Sequence, residues 1–124
     1  APSQSIIRME FVNSKFLYAV EVDTSQGFEL CPADACEIES NCPTEDFNKF
    51  KINGNFSIPN INDFEDFLRG NDIEIAGIEI IFDEKGRFWT YDVNTNTNYN
   101  SKAEEEANQS APEEIAHFLG ALSK

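Results

Sequence analysis

The sequence predicts an α+β protein with helices packed on one face of an antiparallel sheet. Two pairs of β-prone runs, within residues 6–23 and 73–95, are each joined by a short turn-forming stretch, which is the pattern of β-hairpins. Helical patterns lie on either side of the second pair, and long irregular connections link these units. Locally paired strands with separate helices are typical of the α+β class.

The first hairpin is predicted from residues 6–12 and 16–23, which are rich in β-branched and aromatic side chains. Residues 13–15 form the turn between them. A further short strand is expected at residues 28–30. Residues 31–59 are expected to form loops, because prolines and an Asn-Gly-Asn sequence interrupt them repeatedly.

Capping patterns predict two helices. Asn62 is expected to cap the first helix, with Glu65 three residues later, and Gly70 is placed to end it. Ser110 opens the second helix, and apolar side chains follow it at helical spacing. The three glutamates at residues 104–106 are expected to form a solvated helical face without a chemical role.

The second hairpin is predicted from residues 73–82 and 87–95, joined by a turn at residues 83–86. Glu79 is exceptional in the first of these strands, because the other positions on its face carry isoleucine or glycine. A carboxylate in such surroundings costs free energy unless another group pairs with it. The alternative is that Glu79 is half-exposed on an edge strand.

The length of the turn decides which side chains face each other across this hairpin. A turn of two or four residues sets Glu79 opposite Thr90 and leaves Gly77 opposite Asp92. Glu79, Asp92 and Asn94 then share one face, with the glycine leaving room between them. A three-residue loop with a glycine bulge is the alternative, and it separates these side chains unless a second bulge restores the parity.

Asp92, Asn94 and Asn96 recur at alternate positions, which project from one face of a strand. Carboxylate and amide oxygens are the ligands of hard cations such as Mg²⁺ and Ca²⁺. A plain exit loop is the alternative, since asparagine and threonine also form loops. An EF-hand is excluded, because Thr97 stands where that loop requires glycine and Ala103 where it requires glutamate.

Length and charge limit the classes of function. The chain of 124 residues is expected to form one domain over residues 1–124, and its 40% of hydrophobic residues suits a globular protein. The formal net charge of −14 disfavours binding to nucleic acid and to anionic membranes, and it favours solubility or a basic partner. No apolar run approaches the roughly 20 residues of a membrane span, so we expect a soluble, cytoplasmic protein.

The three cysteines, Cys31, Cys36 and Cys42, do not form a complete set of disulfides because their number is odd. Their spacing does not match a zinc ribbon, and the single histidine, His117, lies in a distant predicted helix. We expect three free thiols, as is usual in the cytoplasm.

The second hairpin resembles the last third of an ATP-grasp domain. The resemblance rests on residues 76–81, the glycine-containing turn and residues 91–94. The pattern of that family is a strand ending in Gly-x-Asp, followed one hairpin later by Glu-x-Asn. The resemblance implies that Glu79, Asp92 and Asn94 hold the Mg²⁺ or Mn²⁺ ions that bridge the phosphates of ATP. Each acid of the pattern is exchanged here for the other, which keeps the charge and alters the reach.

The resemblance also implies roles outside this hairpin. Arg8 stands where ATP-grasp ligases carry an arginine that contacts the γ-phosphate or an acyl-phosphate intermediate; a surface cation is the alternative. Glu21 replaces a second basic residue, and Asn96, in the stretch that replaces the family's Pro-Gly, is expected to contact substrate. Residues 30–36 and 92–100 are similar to an ATP-grasp group related to glutamate ligases.

The function that the resemblance implies is the C-terminal, metal- and phosphate-binding lobe of an ATP-dependent carboxylate–amine ligase. In such an enzyme ATP phosphorylates a carboxylate, and an amine attacks the acyl phosphate. The family's preceding half, with its glycine-rich lid and adenine hinge, has no counterpart here, so we expect a fragment of a longer chain that is inactive by itself. The alternative is an acidic binding module that keeps the fold without catalysis.

Overall fold

The computed structural model describes residues 5–25 and 50–123. The strands are β1 Ser5–Val12, β2 Lys15–Asp23, β3 Phe50–Asn53, β4 Ile75–Phe82 and β5 Phe88–Asn94. The helices are α1 Ile61–Gly70, α2 Ser101–Ala107 and α3 Ala111–Leu122. None of these helices is long and apolar enough to cross a membrane. The three cysteines and the short strand expected at residues 28–30 lie outside the described residues.

β1 lies at the centre of the sheet. The strand order is β3-β2-β1-β4-β5, and every neighbouring pair is antiparallel. The predicted α+β class with an antiparallel sheet is confirmed. β3 was not predicted, because its four residues lie in the stretch expected to form loops, and pairing with β2 orders them at the edge of the sheet.

The two faces of the sheet carry separate hydrophobic clusters. One cluster joins Met9 and Ile78 to Leu68 of α1. The other joins Val20 to Ala111 at the start of α3. The helices therefore cover both faces, whereas the sequence suggested one. The physical reason is that β1 is buried on both sides, and each apolar side needs a layer that shields it from water.

The first hairpin closes with a two-residue turn. Val12 pairs with Lys15, and the two residues between them, Asn13 and Ser14, have positive φ angles of 55° and 56°. Positive φ at both central positions is what a type I′ turn requires, and this turn matches the twist of paired strands. The hydroxyl of Ser14 donates to the carbonyl oxygen of Ile73, 2.7 Å away, and so holds the turn against the segment that precedes β4. The predicted hairpin is confirmed, with Lys15 in β2 rather than in the turn.

The turn between β4 and β5 spans residues 83–87, one residue more than expected. The carboxylate of Asp83 accepts hydrogen bonds from the backbone N–H groups of Lys85 and Arg87, both at 2.9 Å. It also accepts one from Arg87 Nε at 2.8 Å. A single side chain therefore satisfies the backbone donors that the longer turn leaves outside the sheet.

The pairing of β4 with β5 differs from the expected register. Glu79 lies opposite Asp92, and Thr90 lies opposite Ile80, so the expected pairing of Glu79 with Thr90 is wrong. The register shifts between Glu79 and Ile80, where Tyr91 is the extra residue of a β-bulge. Because the turn has an odd number of residues, only this bulge brings Glu79 and Asp92 to the same face.

α1 begins earlier than expected. Asn60, rather than Asn62, occupies the N-cap position, and its side chain makes no capping hydrogen bond. The expected capping box is therefore wrong. Glu65 instead accepts a hydrogen bond of 3.1 Å from the backbone N–H of Phe16, which ties α1 to β2. Gly70 ends the helix as predicted.

Ser110 caps α3 as predicted, accepting a hydrogen bond from the backbone N–H three residues later at 3.3 Å. The expectation for residues 104–106 is wrong at Glu104, which is buried. Its carboxylate accepts hydrogen bonds from the hydroxyl of Tyr18 and from the backbone N–H of Ala111, both at 2.7 Å. Glu104 thus joins β2, α2 and α3 instead of facing water.

Candidate functional site

Glu79 lies at the centre of the site that the sequence predicts. It is 8% exposed and stands opposite Arg8 of β1 on one side and Asp92 of β5 on the other. The hydroxyl of Tyr91 donates a hydrogen bond of 2.6 Å to Glu79 Oε2. Desolvation raises the pKa of Tyr91, and the hydrogen bond to Glu79 and the charge of Glu79 raise it further. Tyr91 therefore remains a protonated donor to this carboxylate at neutral pH.

Asp92 and Asn94 share the face of Glu79 at the edge of the sheet. Asp92 lies directly opposite Glu79, and Asn94 lies opposite Gly77. The expected pairing of Gly77 with Asp92 is therefore wrong, because the partner of Gly77 lies two residues further along β5. The three predicted metal ligands are nonetheless on one face. Asn94 Oδ1 accepts a hydrogen bond of 2.8 Å from the backbone N–H of Asn96, whose own side chain is exposed.

Arg8 projects to the same face, and two hydrogen bonds orient its guanidinium. Its Nε donates to Glu10 Oε1 at 2.5 Å, and its Nη2 donates to the carbonyl oxygen of Asn98 at 2.8 Å. The side chain is almost fully buried. Arg8 is therefore next to the predicted ligands, but its charge is paired with a carboxylate of its own strand.

Glu10 is a functional candidate that the sequence reasoning missed. It is fully buried and lies two residues after Arg8, so the two side chains share a face. The sequence contains no signal like that at Glu79, because Met9 and Phe11, the neighbours of Glu10, project to the opposite face and its own face carries Arg8. Burial raises the pKa of Glu10, and the neighbouring charge of Arg8 offsets this only in part.

Thr97 and Gly77 complete the surroundings of Glu10. The hydroxyl of Thr97 lies 3.0 and 3.1 Å from the two carboxylate oxygens. A Cβ atom at Gly77 would lie 2.9 Å from Thr97 Oγ1 and 3.1 Å from Glu10 Oε2. Glycine is therefore needed at this position for the close approach of Thr97 and Glu10, whereas the sequence led us to expect it to leave room between Glu79, Asp92 and Asn94. Nothing in the sequence pointed to Thr97, which meets Glu10 only through the tertiary fold.

The donor set suits a hard cation that takes its remaining ligands from another molecule. Glu79 and Asp92 supply carboxylate oxygens and Asn94 an amide oxygen, which are the ligand types of Mg²⁺ and Mn²⁺. Within residues 5–25 and 50–123 no group of three or more His, Cys, Asp or Glu side chains is arranged to hold a metal. Mg²⁺ is commonly held by one or two carboxylates together with substrate phosphates and water. The residues fit such a shared ion rather than a closed, all-protein site.

Known proteins that resemble this chain were found by comparing structures. No protein-family model matches the chain, and no curated protein matches its sequence. The ATP-grasp ligase PsnB, complexed with a phosphomimetic variant of minimal precursor, Mg and ADP, matches with a TM-score of 0.67 at 14% identity, over 100% of this chain and 35% of that chain.

Two further structures match in the same way. The macrocyclase MdnB from Microcystis aeruginosa MRC has a TM-score of 0.61 at 13% identity, over 95% of this chain and 37% of that chain. The other is a RiPP-associated ATP-grasp ligase from Chryseobacterium gregarium in complex with ADP and a leader and core peptide. It has a TM-score of 0.60 at 13% identity, over 97% of this chain and 34% of that chain. At these identities the likeness concerns the fold alone. The chain spans about a third of the length of the structures that it matches, and it has the fold of part of an ATP-grasp ligase.

Proposed function

We propose that this chain is the metal- and phosphate-binding C-terminal lobe of an ATP-dependent carboxylate–amine ligase that works through an acyl phosphate. The observation that carries the proposal is the pairing of Glu79 with Asp92 on one side and with Arg8 on the other. Ligands for a cation and a group that binds anions thus lie side by side, as a metal-bound phosphate requires. The fold shared with part of ATP-grasp ligases supports the same assignment.

Each side chain of the site has its own role in this proposal. Glu79 and Asp92 hold Mg²⁺ or Mn²⁺, and Asn94 adds an amide oxygen. When bound, the ion neutralises charge on the phosphate oxygens. Tyr91 orients the Glu79 carboxylate through its 2.6 Å hydrogen bond. Arg8 stabilises negative charge on the transferred phosphoryl group.

The proposed ligands are ATP and a pair of substrates, one a carboxylate and the other an amine. Structures of the matched ligases contain ADP, Mg and peptides. The exposed side chain of Asn96 directly follows the metal ligands, where a substrate bound beside the phosphates would meet it. The similarity of residues 30–36 and 92–100 to glutamate-ligase-related proteins makes glutamate and short peptides the first substrates to test. A cytoplasmic location follows from the use of ATP.

ATP-dependent phosphate release by the complete gene product, offered a panel of amino acids and short peptides, tests the proposal. Asp92→Asn removes a carboxylate while keeping the size of the side chain, and we expect kcat to fall about 10²-fold, as when one preorganised group for charge stabilisation is lost. Asp66→Asn is the matched control, because it removes one charge from the exposed surface of α1. Undiminished release by Asp92→Asn, or an equal loss in both variants, contradicts the proposal.

An acidic binding module with this fold and no catalytic activity is the second candidate. The observation in its favour is the ion pair of 2.5 Å that neutralises Arg8 with Glu10. Glu21 in β2 adds a further negative charge, at a position where the resemblance leads us to expect a basic residue. This candidate predicts that the folded gene product releases no phosphate from ATP with any substrate pair.

A further inference from the structure

Glu10 is more deeply buried than any of the predicted site residues, and it lies on their face of the sheet. It is 0% exposed, against 8% each for Arg8 and Glu79. A buried carboxylate is costly unless charged or hydrogen-bonding partners surround it. Glu10 has such partners, namely Arg8 Nε at 2.5 Å and the Thr97 hydroxyl at 3.0 and 3.1 Å. The missing Cβ of Gly77 provides the space for this arrangement.

These contacts determine both the direction and the effective charge of Arg8. Glu10 holds Nε, and the carbonyl oxygen of Asn98 holds Nη2 at 2.8 Å, so the guanidinium points toward the loop that follows β5. A guanidinium has five N–H donors, so other donors remain for a second acceptor. The positive charge, however, is already compensated, and an approaching anion meets a nearly neutral pair.

We propose that Glu10 is the positioning residue of Arg8 and its resident counter-ion, which a phosphate group replaces when it binds there. This rests on the proposed function, because it takes Arg8 to be the group that receives phosphate. Before phosphate binds, Glu10 keeps Arg8 oriented and its charge satisfied. When phosphate binds, it accepts from the N–H donors of Arg8 that remain and becomes the main counter-ion of the guanidinium, while the contacts with Nε and Thr97 continue to hold the buried Glu10. This change of counter-ion favours multiply charged oxyanions, since a weak anion cannot compete with a carboxylate at 2.5 Å.

Glu10→Gln separates the charge of this residue from its geometry. The amide has the same size and keeps an oxygen that accepts from Arg8 Nε, while the negative charge is lost. Glu21→Gln is the matched control, because it changes the net charge equally from an exposed position in β2. Glu21 pairs with Ile7, which belongs to the cluster of Met9 and Ile78 on the face of the sheet opposite to Arg8 and Glu10.

The experiment is a titration of the 124-residue chain and its variants with inorganic tripolyphosphate up to millimolar concentration, followed through the ³¹P NMR signal of the tripolyphosphate. We expect Glu10→Gln to bind about tenfold more tightly than the unsubstituted chain, because one charge at contact distance shifts such equilibria by at least that factor. Glu21→Gln should leave the affinity within about twofold of that of the unsubstituted chain. Adding Arg8→Met to Glu10→Gln should abolish the gain in affinity. Binding by Glu10→Gln that is no tighter than that by Glu21→Gln overturns the counter-ion role.

A second measurement does not depend on the folding of any variant. In the unsubstituted chain the ¹³C signal of the Glu10 carboxyl group should move in step with Arg8 Nε–H as tripolyphosphate is added. Movement of Arg8 without Glu10 overturns the counter-ion role and leaves the proposed function intact. In the titration of the variants, tripolyphosphate binding that is the same with and without Arg8→Met overturns both the counter-ion role and the proposed function, because Arg8 is then not the phosphate-binding group.

Discussion

At the scale of single residues, Tyr18 and Tyr99 show how the chain treats buried polar groups. Tyr18 donates its hydroxyl to Glu104 at 2.7 Å, whereas the hydroxyl of Tyr99 is buried and has no hydrogen-bond partner among the residues that the structure describes. Desolvation raises the pKa of both phenols, to about 12 for Tyr99, and the charges of nearby glutamates add to the effect. Both are protonated donors at neutral pH, and within residues 5–25 and 50–123 only Tyr18 has an acceptor.

Tyr18→Phe should therefore destabilise the protein, while Tyr99→Phe should not. The first change deprives the buried carboxylate of Glu104 of one of its donors, which costs about 1–3 kcal/mol. The second removes a hydroxyl that has no partner among the described residues, and it should leave the free energy of unfolding unchanged or slightly raised. Urea denaturation of the two variants beside the unsubstituted chain measures the difference. Equal losses of stability in both variants would contradict this assignment of the Glu104 contacts.

At the scale of elements, the β4–β5 hairpin positions the candidate site. Its turn is held by Asp83, and its bulge brings Glu79 and Asp92 to one face. Desolvation alone would raise the pKa of Asp83, but hydrogen bonds from the backbone and side chain of Arg87, with smaller contributions from Trp89 and the turn backbone, lower it to about 2. The ionised carboxylate therefore helps to maintain the geometry of the hairpin.

Asp83 should make the hairpin sensitive to acid in a defined range of pH. Its pKa in the folded state, about 2, is below the value of about 3.9 in an unfolded chain, so its contribution to stability is complete above the higher value and is lost as pH falls toward the lower one. The difference in unfolding free energy between the unsubstituted chain and Asp83→Asn should shrink from pH 6 to pH 3. Glu84→Gln, which removes an equal charge from the same turn, is the control. A difference that stays constant over this range would argue against the role of Asp83.

At the scale of the whole molecule, the groups of the proposed site lie on three neighbouring strands. The carboxylates, the amide and the guanidinium lie on one face of the sheet, from the central strand β1 to the edge strand β5. The chain spans about a third of the length of the ligases that it matches in fold. The formal net charge of −14 opposes the binding of a free nucleotide. A cation at this face would reduce that repulsion, yet it finds too few protein ligands to be held firmly.

We therefore predict that the isolated chain binds Mg²⁺ weakly and neither binds nor hydrolyses ATP appreciably. Mg²⁺ loses its water reluctantly and depends on phosphate oxygens for part of its shell. The resemblance implies that the preceding half of the family's domain supplies the contacts for adenine and α-phosphate. Calorimetry with Mg²⁺ and ATP at micromolar protein should show little heat. A dissociation constant for MgATP of about 1 μM, some −8 kcal/mol, would mean that the chain carries a complete nucleotide site.

The elements that could be predicted are those whose signals are local. Ser110 caps α3 because this interaction involves residues within one turn of helix. The face shared by Asp92 and Asn94 also follows from alternation along one strand. The pairing of Glu79 with Asp92 was not predictable in this way, because it depends on the β-bulge at Tyr91, and no local sequence pattern indicates that bulge.

The sequence by itself determined the two hairpins, the α+β class and the residue types that a hard cation and a phosphate require. Only the tertiary structure decided which of these groups meet. Thr97 reaches Glu10 across 87 positions of the chain and Tyr18 reaches Glu104 across 86, and each contact buries a carboxylate. The cost of burying a charge is offset only when the complete fold supplies the partner, so an isolated segment carries no record of that partner.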